Sequence, residues 1–246
     1  MEKRRQAIRD MVNQLGEVNF AQLREMFPSV SDVTLRKDLK YLDEQEQLIR
    51  IHGGAKALPH GKNYLYRSSL HRAEKQRIAV KAVSLLSPGD SVFITSGTTC
   101  AELAAILPAM PLYVFTDGIN TAASFPCHPE LNVEIFGGEV DLNVMRVGGA
   151  AVLDALEHLH FNTAFLGVPG FHPNYGFSIL SSSIATLFYK IMEHSDRVVI
   201  LMDSSKVNYS YTPRMIPLSA VDMVVSDGNL DPDVQALLEG AGIQVL

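Results

Sequence analysis

The stretch VFITSGTTCAEL, Val92 to Leu103, decides how the chain is read. Four β-branched and aromatic positions run into a Ser-Gly-Thr-Thr turn, and the spacing then becomes helical. Strand, glycine turn and helix in that order form the building unit of parallel α/β sheets. The turn also carries chemistry. Glycine lets backbone N–H groups come close to a ligand, and the helix behind it aims the positive end of its dipole at the same place. A phosphate or carboxylate suits such a nest.

Toward the C-terminus the same rhythm repeats. The runs VFIT (92–95), LYVF (112–115), VEIF (133–136), TAFL (163–166), VVILM (198–202) and MVVS (223–226) alternate with helical segments. This predicts an α/β domain with a largely parallel sheet and helices on both faces. In such sheets ligands bind beyond the carboxyl ends of the strands, so the residues after each run are the informative ones. They are Ser96-Gly97-Thr98-Thr99, Thr116-Asp117-Gly118-Ile119-Asn120, Gly137-Gly138-Glu139, Gly167-Val168-Pro169-Gly170 and Asp203-Ser204-Ser205-Lys206. Small residues, hydroxyls and a lysine gather there. The candidate ligand-binding set is Ser96, Gly97, Thr98, Thr99, Asp117, Asn120, Gly137, Gly138, Glu139 and Lys206, and a phosphorylated small molecule fits it best.

Toward the N-terminus lies a different pattern. In VSDVTLRKDLKYLD, Val30 to Asp43, Ser31 is a good N-cap and Val30 can staple onto Leu35. Leu35, Leu39 and Leu42 mark the buried face, which leaves Val33, Arg36, Lys37 and Lys40 opposite: three cations and no carboxylate. A helix capped by Asn19, with Gln22 as capping-box partner and Val18 stapling to Leu23, precedes it and ends at Phe27-Pro28. Before that, Arg4 to Leu15 is amphipathic. LIRI-HGG-AKAL then reads as a hairpin around a Gly-Gly turn. Helix, helix, basic helix and basic hairpin make a winged helix-turn-helix whose third helix enters the major groove of DNA. The candidate DNA-binding residues are Ser31, Thr34, Arg36, Lys37 and Lys40 on the helix, with Arg50, His52 and Lys56 on the wing.

These residues carry a resemblance. RRQAIRDMV, VTLRKDL and IHGGA resemble the DNA-binding head of DeoR-type bacterial transcription regulators, and the loops of the body resemble that family's effector domain. The resemblance runs from about Arg4 to Asp227. It implies a small N-terminal winged helix-turn-helix followed by a largely parallel α/β sheet domain resembling ribose-5-phosphate isomerase and CoA transferase folds. It also implies sensing of phosphorylated sugars through Gly97, Thr98, Thr99, Asn120, Gly137, Gly138 and Lys206. The chain departs from the family form at several positions. FPSVS stands for F-G-V-S, Thr116-Asp117-Gly118-Ile119-Asn120 for T-N-S-L-N, and Gly167-Val168-Pro169-Gly170 for G-A-D-G. Thr186 and Phe188 replace an acid and a lysine, so the pocket gains Asp117 and Phe188.

Charge supports two parts. Residues 1–77 carry 15 Lys+Arg against 10 Asp+Glu, and residues 78–246 carry 6 against 17, so a head of +5 precedes a body of −11 within a net charge of −6. A basic head on an acidic body directs a polyanion to the head. The expected domains are 1–58, a linker at 59–73 where Pro, Gly and Ser interrupt any period, and 74–246, opening with a helix over AEKQRIAVKAVSLL. No run of about 18 apolar residues and no apolar signal segment occur, which predicts a cytoplasmic protein. Cys100 and Cys127 are expected to be free thiols. No cofactor, metal or membrane is called for: His158 and His160 do not share a helix face, and His128 and His172 lack companions at metal spacing.

An aldose–ketose isomerase needs a carboxylate base and a polar group for the enediolate. Asp117, Glu139, Asp203 and Lys206 are available, but a DNA-reading head serves no isomerase. The sequence therefore favours a repressor whose operator affinity is set by a phosphorylated sugar, with no catalytic residues. An isomerase-like enzyme and a regulator with a vestigial pocket are the alternatives. One head reads too few base pairs to select a site, so a homo-oligomer, dimer or tetramer, is expected.

Overall fold

The computed structural model describes residues 2–45, 47–57, 64–142, 144–179, 181–208 and 215–246. Leu58 and the linker residues 59–63 lie outside these. The chain divides into two compact units, Met1–Tyr66 and Arg67–Leu246.

The first unit runs α1 (Glu2–Leu15), β1 (Glu17–Asn19), α2 (Phe20–Met26), α3 (Asp32–Glu44), β2 (Ile49–Ile51) and β3 (Gly54–Lys56). Asn19 caps α2 with the reciprocal Gln22 bond in place, and Ser31 caps α3 by accepting the N–H of Thr34. Leu35, Leu39 and Leu42 join Ile8, Val12, Val18 and Leu23 in the core. Asp38 is buried there too. Its two carboxylate oxygens take Arg4 Nε at 2.6 Å and Arg5 Nε at 2.8 Å, which ties α1 to α3.

The wing is larger than the sequence suggested: β1 adds a third antiparallel strand in the order β1-β3-β2. Three residues are too few to show a period. The turn is His52-Gly53, not Gly53-Gly54, because Gly54 already pairs with Ile51. Gly53 takes φ +81°, and a Cβ on Gly54 would stand 2.0 Å from the Val18 carbonyl oxygen. Each glycine has its own cause.

Into the second unit run α4 (Tyr64–Ser69), α5 (Arg72–Val83), β4 (Ser91–Ile94), α6 (Thr98–Ala105), β5 (Leu112–Thr116), α7 (Ile119–Ser124) and β6 (Leu131–Ile135). Then come β7 (Glu139–Asp141), β8 (Arg146–Gly148), α8 (Ala150–Leu156), β9 (Thr163–Gly167), β10 (Phe171–His172), β11 (Gly176–Ser178) and α9 (Ser182–Glu193). The last elements are β12 (Val198–Leu201), β13 (Met215–Ile216), β14 (Met223–Val225), α10 (Pro232–Gly240) and β15 (Gln244–Val245). α4 is helical although its sequence shows no period, and α5 stops before the Ser-Leu-Leu expected to extend it.

Seven strands form one sheet in the order β15-β14-β12-β9-β4-β5-β6. Its pairs are all parallel. Val92, Ile94, Val114 and Val199 pack under α5 and α6, while Phe93, Leu166, Ile200 and Val224 pack under α8, α9 and α10. Burial on both faces explains the unbroken apolar runs. From β4 the chain crosses to β5 on one side, and from β9 it crosses to β12 on the other. These adjacent strands therefore diverge, leaving a crevice beyond their carboxyl ends. Two small antiparallel sheets, β7-β8 and β10-β11-β13, sit outside this plan.

Candidate functional site

The crevice is built on Thr95. Its hydroxyl donates to the Phe165 carbonyl at 3.3 Å and accepts the Gly167 N–H at 3.0 Å, stitching β4 to β9. Next along the chain, the Ser96 N–H donates to Asp117 Oδ1 at 2.7 Å. Gly97 then takes φ +148°, and among the described residues no side chain caps α6. The first-turn N–H groups of that helix thus have no capping side chain, which is the arrangement an anion site uses. Thr98 is half-buried and Thr99 buried. Cys100 lies behind them, where burial pushes its thiol up to about 12, so it is not a nucleophile.

Asp117 is fully buried, and its Oδ2 stands 3.0 Å from Arg146 Nη2, itself almost fully buried. Burial outweighs the opposing pull of Arg146 and the Ser96 N–H and holds the carboxyl above its ordinary value. The carboxylate that replaces the family's amide is thus held in the wall of the crevice by a buried cation. Gly118 has a steric reason: a Cβ would come 2.7 Å from Ser96 Cα.

Asn120 is half-buried in the first turn of α7. Gly137 and Gly138 are exposed on the next loop, and Glu139 is exposed at the start of β7. Gly138 is required by hairpin closure, since a Cβ would meet the Gly148 carbonyl oxygen at 2.4 Å. Glu139 lines a cleft of about 460 Å³ with Arg146, Ser183 and Thr186. Thr186 donates to the Ser182 carbonyl, and Phe188 is buried in the core, so Phe188 adds nothing to a pocket surface.

Lys206 closes a 3-10 turn, Ser204–Lys206. Asp203 caps it through Oδ1, which accepts the N–H of Ser205 at 3.1 Å and the Ser205 hydroxyl. Asp227 takes the Ser204 N–H at 2.9 Å and hydroxyl at 3.0 Å. Burial works to raise Asp227, but hydrogen bonds from Asn229, Ser204 and Ser226 outweigh it and hold the carboxyl below its ordinary value. Sequence reasoning missed Lys75. It lies on the inward face of α5, and its ammonium donates to the carbonyls of Arg67 and, at 2.6 Å, Leu70. A lysine one turn before Ile78 and Ala79 was the available signal.

In the first unit Arg36, Arg50 and His52 line one cleft of about 530 Å³, together with Phe20 and Leu39. The Arg36 guanidinium lies 5.0 Å from the Phe20 ring centroid, and Arg24 lies 5.6 Å from the same ring. Phe20 and the Arg24–Asp32 ion pair also escaped the sequence reading. Ser31 and Thr34 touch at 2.9 Å and start α3. Lys37 is exposed. Lys40 stands 3.6 Å from Glu44, so a carboxylate does share that face. Glu44 falls three turns after Val33 and was overlooked. Lys56 is exposed on β3, in register with Glu17.

A helix-turn-helix unit and a parallel-sheet unit on one chain define the class of transcription regulators that carry a sensor domain. Residues 4–60 match the DeoR-like helix-turn-helix domain and residues 70–228 the DeoR C terminal sensor domain. The chain belongs to the DeoR family. It is 30% identical over 247 residues to the glycerol-3-phosphate regulon repressor of Escherichia coli K12, covering 99% of this chain and 97% of that protein. It is 28% identical over 249 residues to the HTH-type transcriptional repressor GlcR of Bacillus subtilis, covering 100% and 95%. Ribose 5-phosphate isomerase A of Methanocaldococcus jannaschii is similar over 55% of this chain and 54% of that one, at 15% identity and a TM-score of 0.39, an overlap too partial to bear on activity. Among the described residues no helix is long and apolar enough to cross a membrane.

Proposed function

We propose that the protein represses a carbohydrate-metabolism operon in the cytoplasm and releases its operator when a phosphorylated sugar, or a related phosphorylated metabolite, occupies the sensor unit. The observation that carries this reading is the uncapped start of α6 at the divergence of β4 and β9, where backbone N–H groups await an anion. Ser96, Gly97, Thr98, Thr99 and Asn120 surround the phosphate, and Lys206 supplies a full positive charge. Gly137, Gly138 and Glu139 border the same site, with Asp117 behind Ser96. The working division of the chain is a head over 1–58, a linker over 59–73 and a sensor over 74–246.

In the head, Arg36 and Lys37 contact groove or phosphates, with Ser31, Thr34 and Lys40 beside them and Arg50, His52 and Lys56 on the wing. Ligand alters operator affinity only by binding one state of the protein better than another. The acting form is a homo-oligomer. β6 is an edge strand carrying exposed Val133 and Ile135, a surface that a second copy would cover.

The test is a thermal-shift screen of sugar phosphates beside their unphosphorylated forms, followed by operator binding with each hit. Phosphorylated compounds are expected to raise the melting temperature and lower operator affinity. If none shifts the melt, the pocket is vestigial and the sensing reading fails. Turnover of a hit would favour the isomerase alternative.

A further inference from the structure

Lys75 is 3% exposed, on the face of α5 that also buries Ile78, Ala79 and Ala82. Its ammonium binds the Arg67 and Leu70 carbonyls, at the end of α4 and in the turn after it. The division of the chain falls inside α4, after Tyr66, so Lys75 grips the segment through which head and sensor are joined in sequence. Lys206 and Asp203 of the Asp-Ser-Ser-Lys turn both act on its charge, as do Arg67 and Glu102. Asp203 is buried, and among the described residues its Oδ2 has no hydrogen-bond partner. The turn and α5 also meet through Asp227, whose carbonyl accepts Arg77 Nε of α5 at 3.3 Å and whose carboxylate accepts the Ser204 N–H of the turn at 2.9 Å, so the turn that carries Lys206 is held against the helix that carries Lys75.

Taking as given that a phosphorylated ligand binds beside Lys206, we infer that Lys75 is the positioning residue that couples occupancy to the linker. An anion taken up by Lys206 offsets the repulsion between the two lysines and tightens the hold of Lys75 on the Arg67 and Leu70 carbonyls.

The physics follows from the cost of a buried ammonium. Burial, with Lys206 adding to it, lowers Lys75 from 10.5 to about 8. Local opening that hydrates Lys75 returns it to its ordinary value. Between those two values the closed form binds fewer protons than the open one, so closure strengthens as pH rises from about 8. Below that window the charged form carries the full penalty. An anion at Lys206 removes part of it at neutral pH, which makes the tightened linker the state that ligand favours.

Hydrogen-exchange mass spectrometry on the full chain tests this, with inorganic phosphate as probe at matched ionic strength. At neutral pH phosphate should slow exchange at residues 97–101 and also at 64–70, the latter by roughly threefold or more. In Lys75→Met, phosphate should slow 97–101 alone. Without phosphate, wild type moved from neutral to alkaline pH should exchange more slowly at 64–70 once intrinsic rates are corrected, an arm that needs no variant. Protection at 97–101 with 64–70 unchanged overturns the coupling and leaves the sensing reading intact. Protection at neither segment overturns both. A wild-type linker insensitive to pH, or a Met variant that still responds at 64–70, also overturns the coupling.

Discussion

Asp117 follows an apolar run at the carboxyl end of a strand, where a lone carboxylate faces ligand. Its position was legible in the sequence; its meaning was not, because Arg146 comes from a different hairpin far along the chain. The pair is buried, so removing one partner strands the other as an uncompensated charge. Arg146→Met is expected to cost about 3–5 kcal/mol in urea denaturation, and adding Asp117→Asn should recover most of that, since an amide oxygen still accepts the Ser96 N–H without needing a cation. Equal losses in the single and double variants would remove the ion pair from the account. Asp227 gives a pH test. Its folded value lies below the ordinary 3.8, so its bonds to Ser204 and Asn229 stabilise the protein above that value and are lost as pH falls through the lower one. Asp227→Asn should therefore be less stable than wild type at neutral pH, with the gap closing on acidification. A gap independent of pH would point to packing instead.

Elements with strong end signals were readable, and those without them were not. α2 and α3 begin at Asn19 and Ser31 because side-chain oxygens there satisfy first-turn N–H groups, which is a local matter visible in a handful of residues. β1 and β15 are too short to show alternation, and α4 exists without a period, so tertiary pairing decides them. Gly54 illustrates this. The sequence read it as half of a turn, yet its requirement comes from β1, which packs its backbone where a side chain would begin. Gly54→Ala is expected to destabilise the head by about 2 kcal/mol or more and to raise hydrogen exchange at residues 17–19 and 54–56, while the β4 and β9 amides keep their protection. Unchanged exchange in β1 would mean that the strand yields without cost.

Across the whole chain the informative quantity was the split of charge, since a net charge of −6 conceals a head of +5 before a body of −11. An acidic body repels phosphates, so binding through the head should show a salt dependence set by the head's own cations. Arg36, Arg50 and His52 line one cleft and Lys37 is exposed outside its lining, which supports the proposal that they do different work. Lys37→Gln removes one phosphate contact, so the slope of log K against log salt should flatten by about 0.9 per DNA-bound head, with affinity falling alike on operator and random duplex. Arg36, whose guanidinium lies 5.0 Å from the Phe20 ring centroid, is the residue proposed to read a base. Arg36→Ala should cost about 1–3 kcal/mol on operator and much less on random duplex, relaxing sequence preference at the base pair it contacts. Fluorescence anisotropy over a salt series with both duplexes separates the two roles. If Arg36→Ala weakened both duplexes equally, Arg36 would be one more phosphate contact, and sequence would have to be read from elsewhere on α3.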